Sequence, residues 1–430
     1  MTHDPWRQAF HISAPQGLVN DPNGLIHWNG QTHVFYQWNP SGCTHSNKHW
    51  GHVASADLAH WQRLSAAIGP TDWFDKNGCY SGSAVDADGL TLIYTGNVKD
   101  QDGNRQTYQC LARSADGVAF TKNGPVISGP LPGYTAHFRD PKLWYQDGAW
   151  RMVLGVQTET EQGTVILLHS PDLTHWELSG QLLTPGNHGY MCECPDLFAL
   201  DGSDVLLFSE QRPGSNLAGY VTGRVDLASA GYDHGPFQRL DHGRDFYAPQ
   251  TFAHPDGRRI MLGWMGLPEQ ETAPSVAHGW FHCLTVPREL HLRDGRLLQQ
   301  PVAELAALRG PETQLAGDAL SIPDARAFDL LVQADAPLVL TIRDHATLRV
   351  GNGAITLYEG ETLLADAALT PDQGCRLRVL ADHSSVEIFA GDGEIAISAR
   401  IYPPAATQGI TVTSPVPLAL TYWPMSRGID

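Results

Sequence analysis

The sequence of 430 residues predicts an all-β protein, a five-bladed β-propeller followed by a C-terminal β-sandwich. Three observations predict this fold. A strand–turn–strand unit recurs along the first two thirds of the chain, and a second short motif returns with the same period. After about residue 313 the pattern changes to short alternating strands, which is typical of a sandwich.

The repeated unit opens with a short polar motif that in most copies contains an acid and a proline. A strand-like run, an Asp-Gly or Asn-Gly turn and a second strand-like run follow it. Clear copies open at residues 21–25, 140–143, 193–197 and 247–252, and a weaker fifth copy opens at Ser83. A period of roughly 50 to 60 residues built from short strands indicates propeller blades.

A second motif supports the same period. Ser-Ala-Asp-Leu-Ala-His-Trp at residues 55–61 returns as Ser-Pro-Asp-Leu-Thr-His-Trp at 170–176, with degenerate copies at 114–120 and 225–227. It falls in the second half of the unit. We therefore expect it among the outer strands of the blades.

The acids of the repeat are the candidate functional residues. The first strand of every blade lines the central channel, so equivalent positions in successive blades surround one axis. Asp21 and Asp140 are in register and Glu193 is offset by one residue, which predicts three carboxyl groups at one mouth of the channel. A single Asp-Pro is an ordinary turn former, but three acids in register favour a functional site.

The domain prediction follows from these patterns. Residues 1–295 form the propeller, 296–312 a linker with a short helix, and 313–430 the sandwich. The helix is predicted by the apolar spacing at 301–308, closed by Gly310-Pro311. The sandwich strands are predicted at 338–342, 354–358, 376–380, 385–389, 394–401 and 409–413.

Composition excludes several classes of partner. A formal charge of −18 argues against nucleic acid and against an anionic membrane surface as partners.

Met1 to Trp6 lack the basic head and apolar stretch of a signal peptide, and seven cysteines without framework spacing suggest reduced thiols. We expect a cytoplasmic protein with no metal or cofactor, and the sequence gives no indication of oligomeric state.

Three carboxyl groups in one pocket suit the hydrolysis of a glycosidic bond. One acid protonates the leaving oxygen, while a second attacks the sugar or activates water. The third orients the sugar hydroxyls as positive charge grows at the anomeric carbon. Crowding like charges raises the pKa of at least one of the three, which we expect to be the proton donor.

Many short motifs resemble glycoside hydrolase family 32, which contains the invertases, sucrose-6-phosphate hydrolases and fructanases. Among them are Asn-Asp-Pro-Asn-Gly at 20–24 and Glu-Cys-Pro-Asp at 193–196. The others lie, in the order of the family, at 35–40, 50–52, 80–83, 138–141, 245–250, 263–266, 284–290 and 385–389. The resemblance covers nearly the whole chain and implies the same propeller and sandwich.

The resemblance also implies roles for individual residues. Asp21 corresponds to the nucleophile, Asp140 to the transition-state stabiliser and Glu193 to the acid/base of a retaining enzyme. Nucleophile and acid/base carboxyls are then about 5 to 5.5 Å apart. The residues expected around the fructosyl unit are Asn20, Gln37, Trp50, Tyr80, Ser81 and Arg139. A guanidinium at Arg139 would keep Asp140 ionised.

The leading hypothesis is a β-fructofuranosidase that acts on sucrose, sucrose 6-phosphate or short fructo-oligosaccharides. A phosphorylated sugar needs a cationic seat, for which Lys48, Arg105, Lys142 and Arg212 are candidates by their proximity to motifs. Three alternatives remain open: a fructosyltransferase, an arabinan-type glycosidase on a five-bladed propeller, and a non-catalytic sugar-binding propeller.

Overall fold

Five antiparallel sheets follow one another along residues 17–301 in the computed structural model, which describes residues 4–334, 336–369 and 376–430. They are the five blades of a propeller, as predicted. A sixth sheet after residue 312 forms the C-terminal β-sandwich. No helix in the described ranges has the length and apolar character needed to span a membrane.

The blades are consecutive along the chain. Blade 1 contains β1 (Gly17–Trp28), β2 (Gln31–Asn39), β3 (His49–Ser55) and β4 (Gln62–Ile68). Blade 2 contains β5 (Cys79–Asp86), β6 (Leu90–Lys99), β7 (Arg105–Ser114) and β8 (Thr121–Ser128). Blade 3 contains β9 (Tyr134–Gln146), β10 (Ala149–Thr158), β11 (Gly163–Ser170) and β12 (Glu177–Gln181). Blade 4 contains β13 (Met191–Leu200), β14 (Ser203–Gln211), β15 (Leu217–Asp226), β16 (Gly231–His234) and β17 (Gln238–Arg239).

Blade 5 also closes the ring. It contains β18 (Tyr247–Ala253), β19 (Arg259–Met265), β21 (Cys283–Leu284), β22 (Arg288–Arg293) and β23 (Arg296–Pro301). Between them, a 3₁₀ helix at Pro274–His278 leads into β20 (Trp280–Phe281). This short strand pairs in parallel with the start of β1, so the end of the propeller is hydrogen-bonded to its beginning.

The predicted turns are tight hairpins. Asn29, Asp147 and Asp201 have φ of 47°, 53° and 44°, and each is followed by a glycine that also has positive φ. Two left-handed residues in succession form the hairpin turn whose twist matches that of the flanking strands, which explains the preference for Asn-Gly and Asp-Gly.

The second motif joins the third and fourth strands of a blade, as predicted. The Asp57 carboxylate accepts hydrogen bonds from the backbone N–H groups of Ala59 and His60. Asp116 and Asp172 accept equivalent bonds two and three residues downstream. The motif is therefore a repeated Asx turn, which satisfies backbone donors where the chain reverses.

The sandwich contains more strands than the sequence predicted. The strands are β24 (Thr313–Ile322), β25 (Phe328–Gln333), β26 (Leu338–Ile342), β27 (Ala346–Gly351), β28 (Ala354–Glu359), β29 (Thr362–Ala368), β30 (Arg376–Ala381), β31 (Ser385–Ala390), β32 (Ile395–Arg400) and β33 (Ile410–Pro424). Inward side chains such as Phe328, Leu340, Val379 and Ile397 form one apolar core.

We propose a shorter connection between the propeller and the sandwich than the sequence predicted. Strand β23 pairs with β22 over residues that the sequence assigned to the linker. The predicted short helix is a 3₁₀ helix at Ala303–Leu308, whose Leu305 and Leu308 are buried. We propose that the propeller ends at Pro301 and that residues 302–312 connect it to the sandwich.

A buried charge network holds the sandwich against the propeller. His11 contacts Asp382 through Nδ1 and Glu387 through Nε2, both at 2.9 Å. Arg288 bridges Glu387, at 2.5 Å, and Asp241, at 3.0 Å. All five side chains are buried, so each charge depends on its partners.

We predict that His11 makes the stability of this interface depend on pH. Burial alone would lower the pKa of His11 from 6.5, but hydrogen bonds to Asp382 and Glu387 outweigh it and raise the pKa to about 9. The imidazolium therefore stabilises the folded protein fully below pH about 6.5, and this stabilisation is lost as pH rises through 9. The loss amounts to about 3 kcal/mol, at about 1.4 kcal/mol for each pKa unit.

Thermal unfolding of the wild type and of His11→Gln at pH 6 and pH 9.5 tests this prediction. The wild type should lose much of its advantage over the variant at the higher pH, since glutamine does not titrate. An equal difference between the two proteins at both pH values would contradict a charged His11.

Candidate active site

One structural position is repeated at the channel mouth of every blade. In each blade the register between the first and second strands shifts near the motif that opens the repeat, so that one strand contains an extra residue. In β13 this shift lies between Glu193 and Asp196. Such β-bulges turn neighbouring side chains toward a new direction. The residues two positions before the Pro, or Gly in β5, are Asn20, Tyr80, Arg139, Glu193 and Tyr247, and all five line one cavity.

The cavity has a volume of about 300 Å³ and opens at one end of the channel. It contains the three predicted acids, Asp21, Asp140 and Glu193. The other lining residues are Asn20, Gln37, His45, Lys48, Tyr80, Arg105, His137, Arg139, Tyr190, Gln211, Tyr247, Trp264 and Pro268. The convergence of acids that are far apart in the chain is therefore observed.

Four donors hold the Asp21 carboxylate, one of which is the Cys194 thiol, 3.6 Å from Oδ2. Asn20 Nδ2 donates to Oδ1 at 2.9 Å, while Ser81 Oγ and Gln37 Nε2 donate to Oδ2 at 2.5 and 3.2 Å. Gln37 also donates to Ser81 Oγ. Since these donors are themselves fixed by packing, the carboxylate has a defined orientation toward the cavity.

Of the three acids, Asp140 alone is buried. Its Oδ2 accepts a hydrogen bond from the backbone N–H of Cys194 at 3.0 Å, and its side chain is 4% exposed. Burial, together with the nearby carboxylates of Glu193 and Asp21, raises the pKa of Asp140 to about 7, against the opposing charge of Arg139. The sequence predicted a raised pKa from the crowding of carboxyl groups, but at Asp140 burial is the larger cause.

Arg139 lies closer to Glu193 than to Asp140. Its Nε and Nη2 donate to Glu193 Oε1 at 3.2 and 2.7 Å, whereas its Nε lies 3.9 Å from Asp140 Oδ2. The guanidinium therefore pairs with Glu193, and its distance from Asp140 is too long for a hydrogen bond. The positive charge of Arg139 lowers the pKa of Asp140, in the predicted direction, but burial outweighs it.

Glu193 has a second partner that the sequence reasoning missed. The Tyr247 hydroxyl donates to Oε2 at 2.8 Å. Burial and the nearby Glu193 raise the pKa of Tyr247 well above its ordinary value, so the hydroxyl remains a donor. The Glu193 side chain is 17% exposed against 4% for Asp140, which makes it the more accessible of these two acids.

Some of the remaining predicted residues line the cavity, and others lie behind the residues that line it. Asn20, Gln37, Tyr80 and Arg139 line the cavity, and Ser81 lies behind Asp21. Trp50 is fully buried, and its Nε1 donates to the backbone oxygen of Tyr80 at 3.1 Å. Its contact with a sugar stays a prediction.

Lys48 supports the nucleophile candidate indirectly. Its buried ammonium donates to Asn20 Oδ1, which leaves the Asn20 amide nitrogen facing Asp21. Burial lowers the pKa of Lys48 to about 7, against the attraction of Asp21. The ammonium thus fixes which end of the Asn20 amide meets the carboxylate.

We predict that Lys48→Met lowers kcat/KM by about 10- to 100-fold, because small errors in positioning reacting groups are costly. Steady-state kinetics on sucrose and sucrose 6-phosphate measure it, with Lys99→Met as an exposed control on β6. A Lys48→Met protein as active as the control would show that Asn20 needs no such support.

Comparison with known proteins decides the family. The model of the glycosyl hydrolases family 32 N-terminal domain matches residues 11–301, and that of the family 32 C terminal matches residues 343–423. The chain belongs to glycoside hydrolase family 32. It is therefore a glycoside hydrolase, and the resemblance seen in its motifs is confirmed.

Family 32 relatives match along nearly the whole chain. Sucrose-6-phosphate hydrolase from Bacillus subtilis (strain 168) is 44% identical, over 96% of this chain and 92% of that protein. The solved structure of sucrose-6-phosphate hydrolase from Lactobacillus gasseri is 31% identical, with a TM-score of 0.93 over 99% of this chain and 94% of that one. A mutant of the Bombyx mori GH32 beta-fructofuranosidase, solved in complex with sucrose, is 31% identical, with a TM-score of 0.91 over 100% and 96% of the two chains.

Proposed function

We propose that this family 32 enzyme is a retaining β-fructofuranosidase that hydrolyses the fructosyl bond of sucrose 6-phosphate or sucrose in the cytoplasm. The observation that carries the proposal is the meeting of Asp21, Asp140 and Glu193 in one cavity, each with different hydrogen-bond partners. Different environments allow carboxyl groups of one site to perform different tasks.

Asp21 is proposed as the nucleophile. Its carboxylate is held by Asn20, Gln37 and Ser81 and faces the cavity. Attack of one oxygen on the anomeric carbon forms a covalent fructosyl-enzyme, and the bond to the leaving sugar breaks. The fixed donors reduce the reorganisation that the attack requires.

Glu193 is proposed as the acid/base. It gives a proton to the leaving oxygen in the first step and takes one from water in the second. Tyr247 and Arg139 hold its two oxygens, so the carboxyl group keeps one orientation through both steps.

Asp140 is proposed to bind sugar hydroxyls and to stabilise the positive charge of the transition state. Close carboxyl groups share their protons, so the cluster titrates as a unit. Hydrogen bonds from the sugar favour the ionised form of Asp140. Substrate binding would then release the proton of Asp140 to the cluster, where Glu193 needs it for the first step.

The substrate proposal is supported by the relatives. Proteins from Bacillus subtilis and Klebsiella pneumoniae, 44% and 43% identical to this chain, are both named sucrose-6-phosphate hydrolase. A raffinose invertase from Escherichia coli is 38% identical. The small volume of the cavity, about 300 Å³, suits a short sugar.

Specificity constants for sucrose, sucrose 6-phosphate, 1-kestose and inulin, measured side by side, test the proposal. We expect the highest value for one of the two disaccharides, and trisaccharide products at high sucrose only as a minor fraction. Activity on a nitrophenyl arabinoside with none on the four fructosides would contradict the proposed function.

A further inference from the structure

The cations near the cavity differ in whether their charge is already balanced. Lys142 is buried, donates to the Thr251 carbonyl and lies 3.0 Å from Asp196. Arg212 pairs with Glu210 at 2.7 Å and also donates to the Asn187 carbonyl. Of the four candidates for a phosphate seat, these two are therefore occupied by partners of their own.

Lys48 and Arg139 are engaged as well. Lys48 is bound to Asn20 beside the nucleophile candidate, and Arg139 is bound to Glu193. Arg105 is different. In the described part of the chain its side chain forms no hydrogen bond or ion pair, and its guanidinium lies 5.8 Å from the centre of the Tyr80 ring. An uncompensated cation at the mouth of an acidic cavity indicates an anionic ligand.

His137 provides a second donor beside Arg105. Arg139 Nη1 donates to His137 Nδ1 at 2.8 Å, and since arginine has only donors, the histidine proton lies on Nε2. Burial, Arg139 and Arg105 lower the pKa of His137 to about 4, so the ring is neutral near pH 7. The ring therefore offers one N–H donor of fixed tautomer.

The position of this pair relative to Glu193 suits the leaving sugar. Arg139 contacts Glu193 with one part of its guanidinium and His137 with another, so His137 lies across Arg139 from the proposed acid. The charge of Arg105 acts on the same His137 ring. In sucrose 6-phosphate the phosphate is on C6 of the glucosyl unit, and C6 is attached to C5, on the other side of the ring oxygen from C1, which bears the oxygen that Glu193 protonates.

We propose that Arg105 and His137 form a seat for the phosphate of sucrose 6-phosphate, which makes the phosphorylated sugar the preferred substrate. This inference rests on the proposed function. Arg105 provides the charge and two parallel N–H donors, and His137 adds a neutral N–H. Unphosphorylated sucrose leaves the Arg105 charge without a partner.

The test compares kcat/KM for sucrose 6-phosphate with kcat/KM for sucrose in each protein. In Arg105→Gln the ratio should fall by about 10- to 100-fold, the effect of losing hydrogen bonds to a charged group. Arg105→Lys should keep part of the preference, since it retains the charge but not the fork. Arg113→Gln, on the same strand β7 and outside the cavity lining, is the matched control and should keep the wild-type ratio.

A wild-type ratio near one, or an unchanged ratio in Arg105→Gln, would overturn the seat and leave the β-fructofuranosidase intact. If neither sugar is hydrolysed, the proposed function fails instead. Calorimetry with glucose 6-phosphate and glucose then still tests the phosphate seat. If glucose 6-phosphate binds more tightly than glucose, and Arg105→Gln abolishes this difference, the seat is supported. Equal binding of both sugars to the wild type would refute it.

Discussion

Replacing Asp21 with asparagine is expected to lower kcat on sucrose and sucrose 6-phosphate by about 10⁴-fold or more. The amide has nearly the shape of the carboxylate but does not form the covalent bond to the sugar. Binding should survive, because Asn20, Gln37 and Tyr80 remain in the cavity. Steady-state kinetics measure the loss, and equilibrium binding of sucrose shows whether the site is intact.

The matched control is Asp147→Asn. This residue is in an exposed Asp-Gly turn of blade 3 with φ of 53°, a conformation that asparagine also adopts readily. We expect wild-type kinetics from it. Asp21→Asn with more than a tenth of wild-type turnover would remove Asp21 as the nucleophile.

Replacing Glu193 with alanine is expected to lower kcat on sucrose by about 10²- to 10⁴-fold, because the leaving sugar then departs without a proton. Azide should restore turnover of a fructoside whose leaving group departs without a proton, since it enters the space left by the side chain and attacks the fructosyl-enzyme without needing a base. Double displacement predicts a β-fructosyl azide as the product.

Glu177→Ala, an exposed change in blade 3, serves as the control and should respond to azide no more than the wild type does. Glu193→Gln retains an oxygen that can accept a hydrogen bond from Arg139 or Tyr247. Comparing it with Glu193→Ala therefore distinguishes the effect of losing the acid proton from the effect of losing these hydrogen bonds. An azide product of α configuration would contradict a covalent intermediate.

The repeat made the fold and the three acids predictable. The hairpin turns of the blades require residues with positive φ, which is why Asn-Gly or Asp-Gly recurs in the sequence. The innermost strand of each blade places its motif at the same end of the central channel. The same register also pointed to Tyr247, which occupies the Glu193 position of blade 5. Tyrosine has no carboxyl group, so the pattern of acids in the repeat does not predict it.

Residues outside the repeat were harder to predict. Lys48 and Arg105 enter the cavity from the β2–β3 connection and the start of β7, where no periodic pattern marks direction. Whether such a cation has a partner decides its role, and partners distant in the chain are not visible in sequence. The raised pKa of Asp140 likewise follows from three-dimensional burial.

The sandwich shows a different limit of sequence reasoning. The last strand, β33, continues to Pro424 although Pro415 and Pro417 interrupt its pattern, and the sequence predicted its end near residue 413. It pairs with β24, β25 and β26 along different parts of its length. Such shared pairing lets a strand continue through residues that would end it in isolation.

A crystal structure of Glu193→Gln with bound sucrose tests the central claim most directly. We expect the anomeric carbon of the fructosyl unit about 3 to 3.5 Å from one Asp21 oxygen, with the glycosidic oxygen facing residue 193 and sugar hydroxyls bonded to Asp140. A fructosyl unit bound elsewhere, or with its anomeric carbon turned away from Asp21, would contradict the account.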